Sequence, residues 1–379
     1  MLKIFMTGDN HIGLKYAKYG EKSVFLAEKR ISAFRDMVKK ANEEECGLFV
    51  ITGDLFENIS GIAKRDVVSL LNILSEFNGT VAVLPGNHDY YDEEAKIWKD
   101  FKAASDSCHN ILLLNEYRPY SLFAGDDDVV IYPAFCTSKH SEPGENNLGW
   151  IKDENIVPDG IYRIGIAHGA VEGETIDSEG RYFLMAKKEL EAIPVDAWLI
   201  GHTHVPFPNN LTEEFSACDK IFNAGSHVQP DVATNTEGGC FIIEIGEDKK
   251  IKAKKFISGN IRFYRPEIKL SAGKMEEILE RELSCYKDES VIDGMILSGT
   301  ADKDEYEDRR EIIENTLSRF VSGSYDDSAL SRLISKELID SEFAETSLSA
   351  ALLSALLEEP KEAQLVYELL GELKGEKRK

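Results

Sequence analysis

The sequence of 379 residues lacks features that would place it in a special class of protein. No apolar run approaches the roughly 18 residues that a membrane-spanning helix needs. The first residues, Met1-Leu2-Lys3-Ile4, do not show the layout of a signal peptide. The six cysteines include no Cys-x-x-Cys pair, which is typical of reduced thiols rather than of a disulfide framework. These absences together predict a globular cytoplasmic protein.

Basic residues are also scarce, because 44 Lys and Arg oppose 68 Asp and Glu and leave a net charge of −24. This charge argues against a broad basic surface and against tight non-specific binding to duplex DNA. It does not exclude phosphate substrates, since bound divalent metal ions reverse the sign of the local field. The stretch from Pro266 onward is the more acidic per residue, and none of the eight histidines lies there.

What the sequence does contain is a set of polar clusters that directly follow short apolar strands. Val81–Leu84 predicts a buried strand, and a Pro-Gly turn joins it to Asn87, His88 and Asp89. Ligands of open α/β sheets bind at this carboxyl end of the strands. Asn87 can offer an amide oxygen to a metal ion and His88 can offer a proton, with Asp89 as the anchor of the imidazole.

The same arrangement recurs at other predicted strands. Strands and helices alternate up to Tyr91, which predicts stacked βαβ units, a parallel sheet and an α/β fold. Any one cluster could instead be a helix N-cap, a core histidine or an exposed turn. Taken jointly, those alternatives require five of the eight histidines to gather at strand ends by chance. The residues that follow the other strands are Asp9, His11, Asp54, His168, His202 and His204.

With Asn87, these side chains supply two carboxylates, four imidazoles and one amide oxygen. Such a mixture suits manganese, iron or zinc better than calcium. Seven donors exceed the protein ligands of one ion and fit two ions that share a carboxylate. Two ions about 3.5–4 Å apart can clamp a phosphoryl group. His88 is then left to protonate the leaving oxygen or to stabilise charge on the phosphate.

The order of these motifs resembles the calcineurin-like metallophosphoesterase superfamily. The matching motifs are Asp9-x-His11, Gly53-Asp54, Gly86-Asn87-His88-Asp89, His168 and Gly201-His202-x-His204. The resemblance implies a four-layer αββα sandwich in which Asp54 bridges two metal ions and His88 is the acid. It also implies that one ion takes Asp9, His11, Asp54 and His204, and that the other takes Asp54, Asn87, His168 and His202.

The length of the chain and the α/β unit after Pro266 resemble the SbcD-type DNA repair exonucleases. The resemblance implies a 3′–5′ exonuclease that uses two divalent ions, manganese first among them, and that acts on DNA. It also implies C-terminal helices that dock on an SbcC-type coiled-coil ATPase, and it leaves a homodimer open. We therefore predict a metallophosphoesterase domain at 1–265, a smaller α/β capping domain at 266–340 and a helical tail at 341–379.

Two features depart from the nuclease pattern and keep other functions open. Glu57 stands where that family typically has a histidine, and the chain is acidic. A phosphatase or phosphodiesterase for small nucleotide-like substrates is the alternative, with Tyr90 and Tyr91 available to stack on a base. A scaffold that binds an ATPase without chemistry is a third hypothesis, which the intact ligand set opposes. Glu57 itself is predicted to face the phosphate, or else to point to solvent or cap the helix near Ile62.

Overall fold

The structure is a computed structural model that describes residues 1–153, 162–173 and 180–373. Two units, each with its own hydrophobic core, make up the chain: Met1–Ile261 and Arg262–Lys379. The roles predicted for the regions before and after Pro266 stay predictions. Among the described residues, no helix combines the length and the apolar character needed to cross a membrane.

The first unit alternates short apolar strands with helices, as the sequence predicts. Its strands are β1 (Leu2–Thr7), β2 (Leu48–Ile51), β3 (Thr80–Val83), β4 (Ile111–Leu113), β5 (Tyr120–Ala124), β6 (Asp127–Ala134), β7 (Tyr162–His168), β8 (Ala197–Gly201), β9 (Ser216–Cys218), β10 (Ile221–Phe222), β11 (Cys240–Ile245) and β12 (Ile251–Phe256). Its helices are α1 (Ser23–Glu43), α2 (Lys64–Leu74), α3 (Lys96–Ser105), α4 (Gly149–Asp153) and α5 (Lys187–Ala192), with a 3₁₀ helix at Ala17–Lys22. The apolar run at 161–167 predicts a further strand, which corresponds to β7, and residue 161 itself lies outside the described residues.

Two sheets face each other in this unit. The seven-stranded sheet has the order β4-β3-β2-β1-β11-β12-β9, and the five-stranded sheet has the order β10-β8-β7-β6-β5. The strands β1 to β4 pair in parallel, and so do β6, β7, β8 and β10. Parallel strands end at a shared edge, so the residues that follow them are brought together. Thr7 pairs with Ile51 and Ile51 with Val83, and this register places the three following loops side by side.

Four layers follow from where the apolar side chains are buried. One core lies between the sheets and includes Ile4, Val50 and Ile164. A second core joins the seven-stranded sheet to α1, α2 and α3, and a third joins the five-stranded sheet to α4 and α5. Strands covered on both faces must be apolar along their whole length, as the run Leu48–Ile51 is. The predicted αββα fold is confirmed.

The buried face of α1 agrees with the predicted one in part. The spacing of apolar residues predicts a stripe of which Ala27 and Ile31 are only half-buried, whereas its other members are buried, namely Phe34, Val38 and Ala41. The fully covered positions also include Leu26, Arg30 and Met37. A charged residue on a helix usually faces solvent, whereas Arg30 is 1% exposed.

The second unit is a smaller α/β fold with a parallel sheet. Its strands are β13 (Phe263–Tyr264), β14 (Glu267–Leu270), β15 (Val291–Ala301) and β16 (Ser322–Arg332), with β15 pairing with the other three. Its helices are α6 (Met275–Leu283), α7 (Lys303–Leu317), α8 (Lys336–Glu342), α9 (Leu348–Ala355) and α10 (Pro360–Leu373). Asp302 and Glu305 form a capping box that fixes the start of α7. The tail helices pack around Ile339, Leu353 and Ala363.

Candidate metal centre

The predicted ligands lie where the parallel strands of the two sheets end. The loops after β1 and β2 are tied together, because Asp9 N donates to Gly53 O over 3.1 Å and His11 N donates to Asp54 O over 2.9 Å. Several of these residues have a left-handed backbone, which costs a non-glycine residue about 1–3 kcal/mol. Such strain is typical of functional sites. The residues with positive φ are Asp9, His11, Asp54, His202 and His204.

One group of donors forms around His11 and His204. The Nε2 atoms of these two rings are 2.9 Å apart. Asp54 Oδ2 lies 3.9 Å from His11 Nε2. Asp9 is completely buried, and its carboxylate accepts the main-chain amides of His202 at 2.7 Å and of His204 at 3.2 Å. Asp9 therefore joins the first loop to the histidine-bearing loop of the other sheet.

A second group forms around Asn87, whose Oδ1 lies 2.9 Å from His168 Nε2 and 3.0 Å from His202 Nδ1. His168 Nε2 is also 3.3 Å from Asp54 Oδ2. The other ring nitrogen of His168 donates to the carbonyl of Thr52 over 2.8 Å. Because that carbonyl holds a proton on Nδ1, the Nε2 lone pair of the neutral ring points at the donor group.

Asp54 belongs to both groups, which is the position predicted for a bridging ligand. Two glycines make this approach possible. A Cβ on Gly86 would lie 2.3 Å from Asp54 Oδ1, and a Cβ on Gly53 would lie 2.2 Å from His168 Nδ1. Both motif glycines are thus required by close packing around the carboxylate.

Charges within the centre are strongly coupled. Burial raises the pKa of Asp54, but the imidazoles of His168 and His11 outweigh burial and hold this pKa well below its usual range. Burial lowers the pKa of His168, but the Asp54 carboxylate outweighs it and raises the value to about 9. Burial and then His168 lower the pKa of His202 to about 4. His202 is therefore neutral at pH 7 and can offer a lone pair.

The spacing and chemistry of these atoms fit two divalent metal ions. Two ligands bound about 2.1 Å from one ion, at right or tetrahedral angles, lie about 3.0–3.4 Å apart. The contacts within each group, at 2.9–3.3 Å between His11 and His204 and around Asn87 and His168, match this spacing. When both Nε2 atoms present lone pairs to each other, a shared cation satisfies His11 and His204 together.

His88 lies at the edge of the centre, with its ring centroid 4.9 Å from that of His11. Its main-chain amide donates to Asp54 Oδ1 over 2.8 Å, and its Nδ1 donates to the carbonyl of Glu57 over 3.0 Å. The structure corrects the role predicted for Asp89, which was to anchor the imidazole of His88. Its two carboxylate oxygens accept the main-chain amides of Gly86 at 2.7 Å and of Phe56 at 3.0 Å. Asp89 is thus engaged by the main chain of two neighbouring turns, and a carbonyl orients His88.

Glu57 takes a position that neither sequence interpretation described. Its Oε2 lies 3.0 Å from His11 Nδ1, so the carboxylate faces a candidate ligand rather than solvent or the start of α2. Burial raises the pKa of Glu57, but His11 outweighs burial and lowers it. The contacts of Tyr91 oppose its predicted role in stacking on a base. Its ring packs against the rings of Trp98 and Phe135.

Arg30 is a buried residue of α1 that supports the loop after β1, and the sequence did not lead us to predict this role. Its five hydrogen bonds within the described chain go to neutral oxygens, including two to the carbonyl of Asn10 at 2.7 and 3.1 Å. Asn10 lies between Asp9 and His11, so the guanidinium fixes the loop that carries both. The signal was present in the sequence: Arg30 follows Leu26 and precedes Phe34 by four residues on an otherwise apolar face.

Comparison with known proteins places this geometry in a family. Residues 2–206 match the calcineurin-like phosphoesterases. The chain belongs to this family. Calcineurin-like phosphoesterases are metal-dependent hydrolases of phosphoesters and typically bind two metal ions, and the clustered His and Asp side chains provide such a site here.

The solved structures that are similar to this chain are distant from it in sequence. The TT1561 protein of Thermus thermophilus is 11% identical, with 68% of this chain and 99% of that chain covered at a TM-score of 0.42. A dimetal phosphatase from Danio rerio is 11% identical, with 67% of this chain and 98% of that chain covered at a TM-score of 0.38. Comparison with curated protein sequences gives no significant match.

Proposed function

We propose that this calcineurin-like phosphoesterase hydrolyses phosphodiester bonds in DNA, as the SbcD-type exonucleases do, with manganese as its metal. The observation that carries the proposal is the pair of donor groups that share Asp54, with His88 beside them. A phosphodiester needs its charge neutralised and a leaving oxygen protonated, and this arrangement provides for both.

The chain's own residues divide this work. Asp9, His11, Asp54 and His204 would hold one ion, and Asn87, His168, His202 and Asp54 would hold the other. When bound, the ions supply Lewis-acid stabilisation of the phosphoryl oxygens and lower the pKa of a water molecule. Because His88 Nδ1 donates to the carbonyl of Glu57, the imidazolium form of the ring carries its second proton at Nε2, from which that proton can pass to the leaving oxygen.

A second candidate substrate is a small nucleotide-like diester. A cavity of about 680 Å³ is lined by Ser138 and His140, and the carbonyl of Lys139 between them accepts from Asn87 Nδ2 over 3.4 Å. The volume lies within the range of small-molecule pockets, roughly 300–1,000 Å³. The ring of Tyr182 lies 5.2 Å from that of His140 and 5.0 Å from that of His202, so it links a residue of the cavity wall to a candidate ligand.

Hydrolysis assays with added manganese separate the two substrates. We expect cleavage of bis-p-nitrophenyl phosphate, and of linear single- or double-stranded DNA at a rate that rises with metal. Activity on the small diester with no release of nucleotides from DNA would favour the second candidate. An inactive protein that binds two ions would leave the scaffold hypothesis as the best account.

We also propose a protein partner, an SbcC-type ATPase that binds the tail helices. Leu365, Leu369 and Leu373 lie at four-residue spacing on α10 and are 57%, 48% and 84% exposed. An apolar stripe of this kind suits a groove or a helical partner. Co-purification with an SbcC-type ATPase from the same genome, lost in a Leu365→Glu/Leu369→Glu variant, would support it.

We also propose a cytoplasmic location, which the six cysteines support because none of them forms a disulfide bond. Whether the protein is a homodimer is tested by measuring its molecular mass in solution.

A further inference from the structure

We infer that Glu57 is a positioning residue which orients a metal ligand with its side chain and the proton donor with its main chain. The inference deepens the proposed function and rests on it, because His11 and His88 have these roles only in a two-metal phosphoesterase. Glu57 needs no contact with substrate or metal to act in this way.

The side-chain contact is to the ring nitrogen of His11 that faces away from the donor group. Glu57 Oε2 is 3.0 Å from His11 Nδ1, while His11 Nε2 faces His204. Nδ1 is buried without a well-aligned hydrogen bond among the described residues. The Glu57 side chain is 29% exposed, so it has room for the small rotation that aligns the carboxylate with Nδ1–H.

This contact has a chemical consequence for metal binding. A histidine that binds through Nε2 carries its proton on Nδ1, and an acceptor at Nδ1 fixes both the tautomer and the ring. A carboxylate in that place also makes the imidazole a stronger donor, and loss of such a partner typically costs about 10–100-fold in metal affinity. Glu57 supplies this carboxylate to one ligand of one ion.

The main-chain contact serves a different residue. The carbonyl of Glu57 accepts from His88 Nδ1 over 3.0 Å. Its own amide donates to the carbonyl of Ile12 over 3.0 Å, which joins the Glu57 turn to the loop that carries His11. Substitution at position 57 removes the side-chain contact and leaves the carbonyl in place, so the two roles can be measured separately.

The test is manganese binding by calorimetry, with ring-nitrogen spectra of ¹⁵N-histidine in the metal-free protein. The variants are Glu57→Ala and Glu57→Gln, and the control is Glu93→Ala, which removes an exposed carboxylate from the loop after Asp89. In Glu57→Ala we expect one ion to bind about 10–100-fold more weakly and the other to stay within about twofold of wild type. Glu57→Gln should recover part of the loss, since its amide oxygen still accepts a hydrogen bond from Nδ1–H.

The ring spectra supply a readout that does not depend on activity. We expect the His11 signals to change in Glu57→Ala and the His88 signals to stay, because the carbonyl at position 57 is unchanged. Wild-type affinity for both ions in Glu57→Ala would overturn the inference. A wild type that binds a third ion which Glu57→Ala no longer binds would also overturn it, because Glu57 would then be a direct metal ligand. A wild type that binds two ions yet cleaves no phosphodiester would refute the proposed function alone.

Discussion

The two halves of the metal centre are held in place by different means. His168 is fully buried, and a main-chain carbonyl, that of Thr52, holds its Nδ1. His11 is also well covered, but its Nδ1 faces a partly exposed side chain, that of Glu57. The half around His168 is therefore fixed by the fold, whereas the half around His11 depends on the identity of one residue.

This difference shows how a shared fold can vary one half of a site and keep the other. A carbonyl accepts a hydrogen bond whatever side chain its residue carries, so the contact that holds His168 Nδ1 does not depend on the side chain at position 52. The His11 half changes its metal affinity whenever position 57 changes. Variants at three positions and one pH titration break or sharpen this division, from the largest expected effect to the smallest.

The largest effect is expected where the halves meet, at Asp54. Asp54→Asn removes the charge that both ions share, so both should bind weakly. Each ion contributes several kcal/mol of transition-state stabilisation, and the loss of about 6 kcal/mol corresponds to a fall of roughly 10⁴-fold in rate. Calorimetry and the bis-p-nitrophenyl phosphate assay measure both effects. With Asp36→Asn, an exposed change on α1, as control, two ions bound at wild-type affinity would refute the bridge.

The next effect concerns His88, which belongs to neither set of ligands. His88→Gln should retain both ions and lose about 10²–10⁴-fold in turnover, because glutamine cannot act as a general acid. The loss should shrink for p-nitrophenyl esters, whose leaving group needs no proton. Turnover of DNA and of the small diester, with the exposed His109→Gln as control, decides this. Loss of metal would instead make His88 a ligand.

A variant of Arg30 tests whether the loop that carries His11 depends on the hydrogen bonds from this guanidinium. Arg30→Met leaves the carbonyl of Asn10 without its two donors, whereas the carbonyl of Val228 still accepts from Ser226 Oγ over 2.9 Å. A buried acceptor without a partner costs about 1–3 kcal/mol, so the unfolding free energy of the metal-free protein should fall by about this amount. Denaturant titration measures this, and Arg30→Lys should recover part of it. The same loss in Arg35→Met, an exposed position on the same helix, would deny Arg30 a special role.

The smallest effect is a difference in proton release. The pKa of His168 is raised to about 9, so its ring is protonated at pH 7 in the metal-free protein and must lose a proton to bind a metal. Affinity at this half should therefore rise about tenfold per pH unit up to about pH 9. His202, with a pKa lowered to about 4, is already neutral and adds no proton. Manganese titrations at about pH 6.5, 7.5 and 8.5 measure the slope, and a flat profile would contradict the assignment.

Much of this arrangement could be predicted from the sequence, because strand endings are local signals. Val81–Leu84 followed by Pro-Gly and Asn87 has the apolar run, the turn and the donor within a few residues. What could not be predicted involves partners distant in sequence. Asp89 and His88 are adjacent, yet the carbonyl of Glu57 orients the imidazole. A charge on a helix usually lies in solvent, and only the tertiary contacts show what Arg30 holds.

The left-handed backbone of the donor residues also bears on how this chain can change over generations. Asp9, His11, Asp54, His202 and His204 each hold a conformation that glycine adopts without strain. Exchange of His11, His202 or His204 for glycine would relieve this strain, whereas Asp9 and Asp54 also accept buried main-chain hydrogen bonds whose loss would offset the gain. Selection for stability alone therefore acts against the three histidines, which only their chemistry retains.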